Sequence, residues 1–353
     1  MCIQSKPSHS SYMKNFTGRK GFLSTIAVWL LVALGTVPLI SYGQAHKSGK
    51  AVQAENIPLA DPTIFYHEGT YYLYGTVEGG ANEGFFVYTS SDMKTWEGPK
   101  GIKEGYALKK GDAYGSKGFW APQVFYTGGK FYMAYTADEN IAIATSNSPL
   151  GPFTQAEKAP LAAPVKQIDP FVFIDADGKK YLYHVRLTNG NRIFVAEMTD
   201  DFSAIKQETL RECISAQEPW ENTVQAEWPV TEGPSILRQG KLYYLVYTAN
   251  DFRNPDYAVG YATSTSPLGP WEKQKDSPIL SKAAIGINGT GHGDFFTDKK
   301  GQLYYVFHTH YSDTKVGPRQ TGIVKARFAG KSADNTKQLT ISNKSFYYPK
   351  LEK

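Results

Sequence analysis

The sequence predicts an all-β protein built as a five-bladed β-propeller with four-stranded antiparallel blades. Three observations predict this fold class. One layout recurs five times along the 353 residues, 14% of the residues are aromatic, and no stretch beyond the N-terminal region has the 3.6-residue periodicity of a long helix. The 24 Tyr and 19 Phe suit a sheet protein, because flat rings pack well on pleated surfaces.

The five repeats share a polar or acidic start, then Pro or Gly, an apolar stretch, a turn containing Gly and a strand rich in Tyr. They begin at Asp61, Ala121, Asp169, Glu232 and His292. Each is typical of a β-hairpin, because two apolar runs flank a Gly-bearing turn. A spacing of roughly 50–60 residues fits one propeller blade per repeat.

A second hairpin follows most of these repeats. Residues 142–153 closely match residues 260–271, and 86–96 and 194–202 are looser copies. Two hairpins per repeat make four strands per blade. A β-sandwich of many short strands is the alternative, but it explains the strands without explaining the five repeated starts.

Residues 1–45 are typical of an export signal. Basic residues up to Lys20 precede an apolar run at 21–40, and Gly43-Gln44-Ala45 offers the small residues that a signal peptidase reads. A permanent membrane anchor is the alternative, because the run is about 20 residues long. We expect an exported protein, periplasmic or secreted and without a stable anchor, with a linker at 46–56 and a catalytic propeller at 57–353. Residues 338–348 have strand character and would complete a blade.

The net charge bears on nucleic-acid binding, and the cysteine count bears on disulfides and metal sites. The net charge is +5, but four basic residues and no acid lie in residues 1–45, which leaves about +1 for the rest. This balance gives no argument for nucleic-acid binding. Cys2 lies in the signal, so Cys213 stands alone and the mature chain has no internal disulfide and no cysteine metal site.

Three carboxylates stand at the repeat starts: Asp61, Asp169 and Glu232. The first strand of each propeller blade lines the central channel, so these groups converge near the axis. Like charges in a partly desolvated site raise at least one pKa, and one protonated and one ionised carboxyl group are what glycoside hydrolysis requires. An Asp before Pro is also a common turn starter. Glu232 aligns with the aspartates on the turn Gly but shifts by one position when aligned on Pro.

At these residues the sequence resembles glycoside hydrolase family 43. The resemblance covers about residues 59–328. It rests on the motifs Ala60-Asp61-Pro62, Trp120-Ala121-Pro122, Ile168-Asp169-Pro170, Thr231-Glu232-Gly233-Pro234 and Gly291-His292-Gly293. It implies a five-bladed propeller and an inverting mechanism. Carried over by motif, Asp61 is the expected general base, Glu232 the general acid and Asp169 the modulator of the acid's pKa.

The resemblance also points to binding residues. His292 is expected on the axis beside Ca²⁺ or a water cluster, although calcium prefers oxygen ligands; a hydrogen-bonded channel histidine is the alternative. Trp120 is expected to form a sugar platform at the pocket mouth, or else to pack between blades. Arg319 is expected to reach the sugar from the last blade, or else to be a surface arginine.

The expected substrate is an oligo- or polysaccharide. We expect an exo-acting α-L-arabinofuranosidase on plant arabinan, arabinogalactan or arabinoxylan, with Trp220 and Trp228 of the loop at 207–231 walling the pocket. A β-xylosidase, an endo-arabinanase or an exo-β-1,3-galactosidase of the same family are alternatives. Arg211-Glu212-Cys213 is similar to a motif of retaining fructan-cleaving enzymes, but the other signatures are missing, so Glu212 is interpreted as a surface charge. A non-catalytic sugar-binding propeller would be expected to lose one of the three carboxylates.

Overall fold

The computed structural model describes residues 55–330 and 337–352. The predicted signal at 1–45 and most of the predicted linker lie outside these residues. Within the part of the chain that is described, no helix is long and apolar enough to cross a membrane. Its helices are the short α-helix Lys282–Ile285 and the 3₁₀ turns Gln207–Thr209 and Pro219–Glu221.

Five antiparallel sheets form the blades. Blade 1 contains Leu59–His67, Thr70–Val77 and Tyr88–Ser90; blade 2 contains Trp120–Thr127, Lys130–Ala137 and Asn140–Ser146; blade 3 contains Gln167–Ile174, Lys180–Leu187, Asn191–Glu197 and Arg211–Ile214; blade 4 contains Thr231–Gln239, Leu242–Ala249, Ala258–Ser264 and Glu272–Lys273; blade 5 contains Gly291–Thr297, Leu303–Thr309, Gln320–Ala329 and Gln338–Tyr347. Blades 3 to 5 have the predicted four strands. In blades 1 and 2 the fourth strand is reduced to single bridges, Thr89 with Glu97 and Thr145 with Thr154.

The innermost strands close a ring. Each packs against the innermost strand of the next blade, and that of blade 5 packs against that of blade 1. This arrangement confirms the five-bladed propeller and excludes the β-sandwich. Gly84–Phe86 pairs with Tyr106–Lys109 as a separate ribbon between blades 1 and 2.

An apolar cluster fills each of the five interfaces between neighbouring blades. Tyr74 meets Met133 between blades 1 and 2, and Tyr183 lies in the cluster with Tyr247 between blades 3 and 4. Burial of these large side chains is the main favourable term holding the ring together. The Tyr-rich second strand of each repeat supplies much of this surface.

A small sheet joins residues near the two ends of the described chain. Lys350–Leu351 pairs antiparallel with Glu55–Asn56 and parallel with Thr95–Trp96. Leu351 also packs against the cluster that contains the fully buried Trp96. The last two residues of the predicted linker are therefore a strand of this closing sheet.

Candidate active site

A kink in the innermost strand of every blade positions the side chains on the axis. The pairing register shifts there in all five blades. The kinked residues have left-handed backbones: Asp61 (φ 48°), Ala121 (46°), Asp169 (54°), Gly233 (59°) and His292 (43°). Residues other than glycine rarely adopt this backbone conformation. Its recurrence in four non-glycine residues therefore marks a constrained site.

Glu232 does not occupy this kinked position. In blade 4 the kinked residue is Gly233, and Glu232 precedes it, as Ala60 precedes Asp61. The alignment on Pro is therefore correct and the alignment on the turn Gly is wrong. A side chain at Gly233 would also crowd His292, because an added Cβ would lie 2.8 Å from the His292 ring. The three carboxylates consequently approach the axis from two different strand positions.

The neighbouring blade caps the backbone N–H of most kinked residues. Ala121 N–H donates to Thr76 Oγ1 (3.0 Å), Asp169 N–H to Thr136 Oγ1 (2.9 Å), His292 N–H to Thr248 Oγ1 (2.9 Å) and Asp61 N–H to His308 Nδ1 (3.1 Å). In blade 3 the corresponding residue is Val185, which pairs with Ile168 and has no polar side-chain atom. Gly233 N–H donates instead to Asp169 Oδ2, at 3.3 Å.

One pocket of about 380 Å³ lies over these kinks. All five blades contribute to its wall. The lining residues are Asp61, Trp120, Ile168, Asp169, Asn191, Trp228, Val230, Glu232, Asp251, Phe252, His292 and Arg319. All six site residues expected from the sequence are therefore brought together.

Asp61 is held in its ionised form. Arg319 Nη1 and His292 Nδ1 each lie 3.3 Å from its Oδ1, and the Thr76 hydroxyl donates to its Oδ2 at 2.6 Å. Burial alone would raise the pKa of Asp61, but the Arg319 guanidinium and the neighbouring histidines outweigh it. The pKa therefore lies well below its usual range, as expected for a carboxylate beside a fixed cation.

Glu232 is held in its protonated form up to neutral pH. Its Oε1 accepts from the Tyr257 hydroxyl at 2.7 Å and its Oε2 from the Asn191 amide at 3.0 Å. Burial raises the pKa of Glu232 to about 7, against the opposing effect of the Tyr257 hydrogen bond. The charge of Asp61 contributes to this rise, because two neighbouring carboxylates resist joint ionisation.

Asp169 is electrostatically coupled to both of these carboxyl groups. Burial raises its pKa well above the usual value, and the charges of Glu232 and Asp61 add to the effect. Its Oδ2 lies 3.8 Å from His292 Nδ1. A change of protonation at Asp169 is therefore felt directly by Glu232.

Arg319 is fixed by three contacts. Its Nε donates to Glu78 Oε1 at 2.8 Å, its Nη1 donates to Asp61, and its guanidinium stands 4.6 Å from the centre of the Phe252 ring. Such a cation–π contact holds the planar group in one orientation. The interpretation of Arg319 as a surface arginine is therefore wrong. Glu212 is exposed and pairs with Arg192, as the interpretation of it as a surface charge predicts.

The calcium ion or water cluster expected beside His292 stays a prediction. Ca²⁺ takes six to eight oxygen ligands, whereas no three His, Cys, Asp or Glu side chains converge as a metal site among residues 55–330 and 337–352. The cavity behind His292, lined by Thr63, Gln123 and Asp294, is only about 30 Å³. Burial lowers the pKa of His292, which favours the neutral ring, and its Nδ1 lies 3.3 Å from Asp61 Oδ1 and 3.8 Å from Asp169 Oδ2.

Sequence reasoning missed Asn191, Tyr257 and Phe252. Asn191 follows a hairpin tip, and Phe252 and Tyr257 lie on or beside the loop between two strands of blade 4, so no motif or period marks them. Trp228 was expected at the pocket and lines it. Trp220 instead packs on Tyr247, with ring centres 5.9 Å apart, in the core between blades 3 and 4.

The pocket on this five-bladed propeller is large enough for a sugar and contains two carboxyl groups in opposite protonation states. This arrangement is typical of enzymes that hydrolyse glycosidic bonds. Comparison with known proteins agrees with this class. Residues 56–332 match the model of glycosyl hydrolases family 43, and the chain belongs to that family.

Relatives within the family carry several activities in their names. A crystal structure of an endo-1,4-β-xylanase from Bacteroides thetaiotaomicron is similar, with 44% identity and a TM-score of 0.78, covering 86% of this chain and 100% of that one. A β-D-galactofuranosidase of Aspergillus niger is 25% identical, over 76% of this chain and 79% of its own length. An arabinoxylan arabinofuranohydrolase of Bacillus subtilis is 26% identical, over 80% of this chain and 64% of its own length.

Proposed function

We propose that this glycoside hydrolase inverts the configuration of its sugar, with Asp61 as general base and Glu232 as general acid. The observation that carries the proposal is their opposite protonation in one pocket: the pKa of Asp61 lies well below its usual range, and that of Glu232 is about 7. In the proposed mechanism Asp61 takes a proton from the attacking water while Glu232 protonates the leaving oxygen.

The other charged groups have supporting roles in this mechanism. Arg319 keeps the Asp61 carboxylate ionised, and Arg319 and His292 both contact its Oδ1. Asp169 is the proposed modulator of the pKa of Glu232, because the charge of Glu232 raises the pKa of Asp169 and such coupling acts in both directions. Trp120 offers an aromatic face at the pocket wall for a sugar ring.

The proposed substrate is the non-reducing terminal α-L-arabinofuranosyl group of arabinan, arabinogalactan or arabinoxylan. Walls from all five blades surround a space of about 380 Å³, which suits one terminal sugar better than the middle of a chain. The similarity to an arabinoxylan arabinofuranohydrolase supports this choice. The similarity to a protein titled endo-1,4-β-xylanase favours xylan, cleaved at β-xylosyl bonds, as the second candidate.

We also propose that the enzyme acts outside the cytoplasm. The support is the basic segment up to Lys20, the apolar run at 21–40 and the small residues at 43–45. Polysaccharide substrates are encountered outside the cell membrane, which agrees with export.

The experiment is a panel of aryl α-L-arabinofuranoside, β-D-xyloside and β-D-galactoside, followed by arabinoxylan and linear arabinan. We expect release of arabinose with little cleavage of the other aryl sugars. Proton NMR of the first product should show the anomer opposite to that of the substrate. A retained anomer would contradict the mechanism, and a ladder of oligosaccharides from arabinan or xylan would contradict exo action.

Two substitutions test the assigned roles. Asp61→Asn and Glu232→Gln keep the size of each side chain, so we expect intact folding and a fall in kcat of about 10²- to 10⁴-fold. Circular dichroism melting is the control for folding. Undiminished turnover by either variant would contradict the corresponding role.

A further inference from the structure

The strand that carries Glu232 is bound to the hairpin tip of blade 3. The backbone N–H of Asn191 donates to the Pro229 carbonyl at 2.9 Å, and the Thr231 hydroxyl donates to the Asn191 carbonyl at 3.1 Å. Two main-chain anchors therefore hold Asn191 beside the segment 228–232. The position of the Asn191 side chain is fixed before any sugar enters the pocket.

The side chain of Asn191 bridges two pocket residues. Trp228 Nε1–H donates to Asn191 Oδ1 at 2.9 Å, and Asn191 Nδ2–H donates to Glu232 Oε2 at 3.0 Å. An indole N–H is a donor only, so the amide oxygen must face Trp228. The amide NH₂ must then face Glu232, and the orientation of the amide is determined rather than free.

We propose that Trp228 is a positioning residue for Glu232, acting through Asn191. This proposal rests on the assignment of Glu232 as the general acid. The Trp228–Asn191–Glu232 relay keeps the Asn191 amide as a donor to the acid. Trp228 lines the pocket and is 49% exposed, so its ring is also available to the leaving group. One side chain of the pocket wall would thus orient the acid that protonates the leaving oxygen.

Loss of the indole N–H would release the Asn191 amide. A rotated amide presents its oxygen to Glu232 and becomes an acceptor for the carboxyl proton that should pass to the leaving oxygen. This acceptor favours the protonated carboxyl group and aims its proton away from the substrate. Substrates with poor leaving groups need this proton most, so they should suffer most.

The test is Trp228→Phe, which keeps a smaller aromatic ring and removes the N–H donor. The substrate is the aryl glycoside that the wild-type enzyme cleaves, in two forms: an acidic nitrophenol and a poor leaving group. We expect kcat to fall about tenfold on the poor leaving group and less than threefold on the nitrophenol. The alkaline limb of kcat/KM should move upward by about half a pH unit or more.

Two further variants separate the relay from simple packing. Trp120→Phe makes the same change in the same pocket at a residue outside the relay, and it should alter KM without moving the alkaline limb. Asn191→Ala removes the middle of the relay, and adding Trp228→Phe to it should change neither the alkaline limb nor the leaving-group dependence any further.

Three outcomes would overturn the proposal. They are an unmoved alkaline limb in Trp228→Phe, an effect confined to KM, and effects of Trp228→Phe and Asn191→Ala that add. If Glu232 is not the general acid, the result is distinguishable, because Glu232→Gln would then retain activity on the poor leaving group. Melting curves of each variant confirm that the half-exposed Trp228 can be replaced without unfolding the protein.

Discussion

Asp61 and Glu232 are both buried carboxyl groups, yet their neighbours move their pKa values in opposite directions. Asp61 faces a guanidinium that is itself held by Glu78 and Phe252. Glu232 faces only neutral donors, Tyr257 and Asn191, so burial dominates its pKa. One fixed cation on one side of the pocket is therefore enough to separate an acid from a base.

The protonation states predict the pH dependence of kcat/KM. In the proposed mechanism Glu232 must be protonated, and burial raises its pKa to about 7, so activity should fall about tenfold per unit as the pH rises above 7. Asp61 must be ionised, and its lowered pKa keeps it so through the weakly acidic range. A pH profile of the wild-type enzyme checks both limbs.

The variant Tyr257→Phe tests whether the alkaline limb of this pH profile belongs to Glu232. The Tyr257 hydrogen bond lowers the pKa of Glu232, so its removal should move the alkaline limb upward. The acidic limb should stay in place, because Tyr257 makes no hydrogen bond to Asp61 among the described residues. An alkaline limb at the same pH in Tyr257→Phe and the wild-type enzyme would contradict the assignment of that limb to Glu232.

At the scale of strands, the recurring kink and its cap from the neighbouring blade build the site. Thr136 is fully buried and accepts from Asp169 N–H. Thr136→Val removes this acceptor and leaves a buried N–H unpaired, which should lower the free energy of unfolding by about 1–3 kcal/mol. Urea unfolding measures the loss.

Two variants control the Thr136 experiment. Thr136→Ser keeps the hydroxyl and should restore most of the lost stability. Thr145→Val makes the same replacement in the next strand of blade 2, where the side chain is half-buried, and should change stability by less than about 0.5 kcal/mol. Equal losses at positions 136 and 145 would contradict a specific role for the cap.

The strands were predictable because each repeat carries its own turn and its own apolar pattern. Asp61 and Asp169 were predictable as site residues because Asp-Pro marks the kink in both blades. The position of Glu232 was ambiguous, since only the backbone shows that the kink in blade 4 falls on Gly233. Asn191 and Tyr257 could not be predicted, because tertiary packing alone brings their side chains to Glu232.

At the scale of the whole molecule, the closing sheet joins the two ends of the ring. Leu351 is partly buried against the cluster of Trp96. Leu351→Ala should lower the free energy of unfolding by about 1–2 kcal/mol, less than for a fully buried leucine. Lys344→Ala, at an exposed site in Gln338–Tyr347, is the control and should be neutral. A neutral Leu351→Ala would show that the interfaces between blades hold the ring without the closing sheet.

Ring closure also determines when the protein can first act. Asp61 and Arg319 are hydrogen-bonded although 258 positions separate them in the chain. A nascent chain that has emerged through blade 4 already contains Asp61, Asp169 and Glu232, but it lacks the cation that keeps the base ionised. If Asp61 is the base, as proposed, turnover therefore requires blade 5 to have docked against blade 1, so the first sugar released reports closure of the ring.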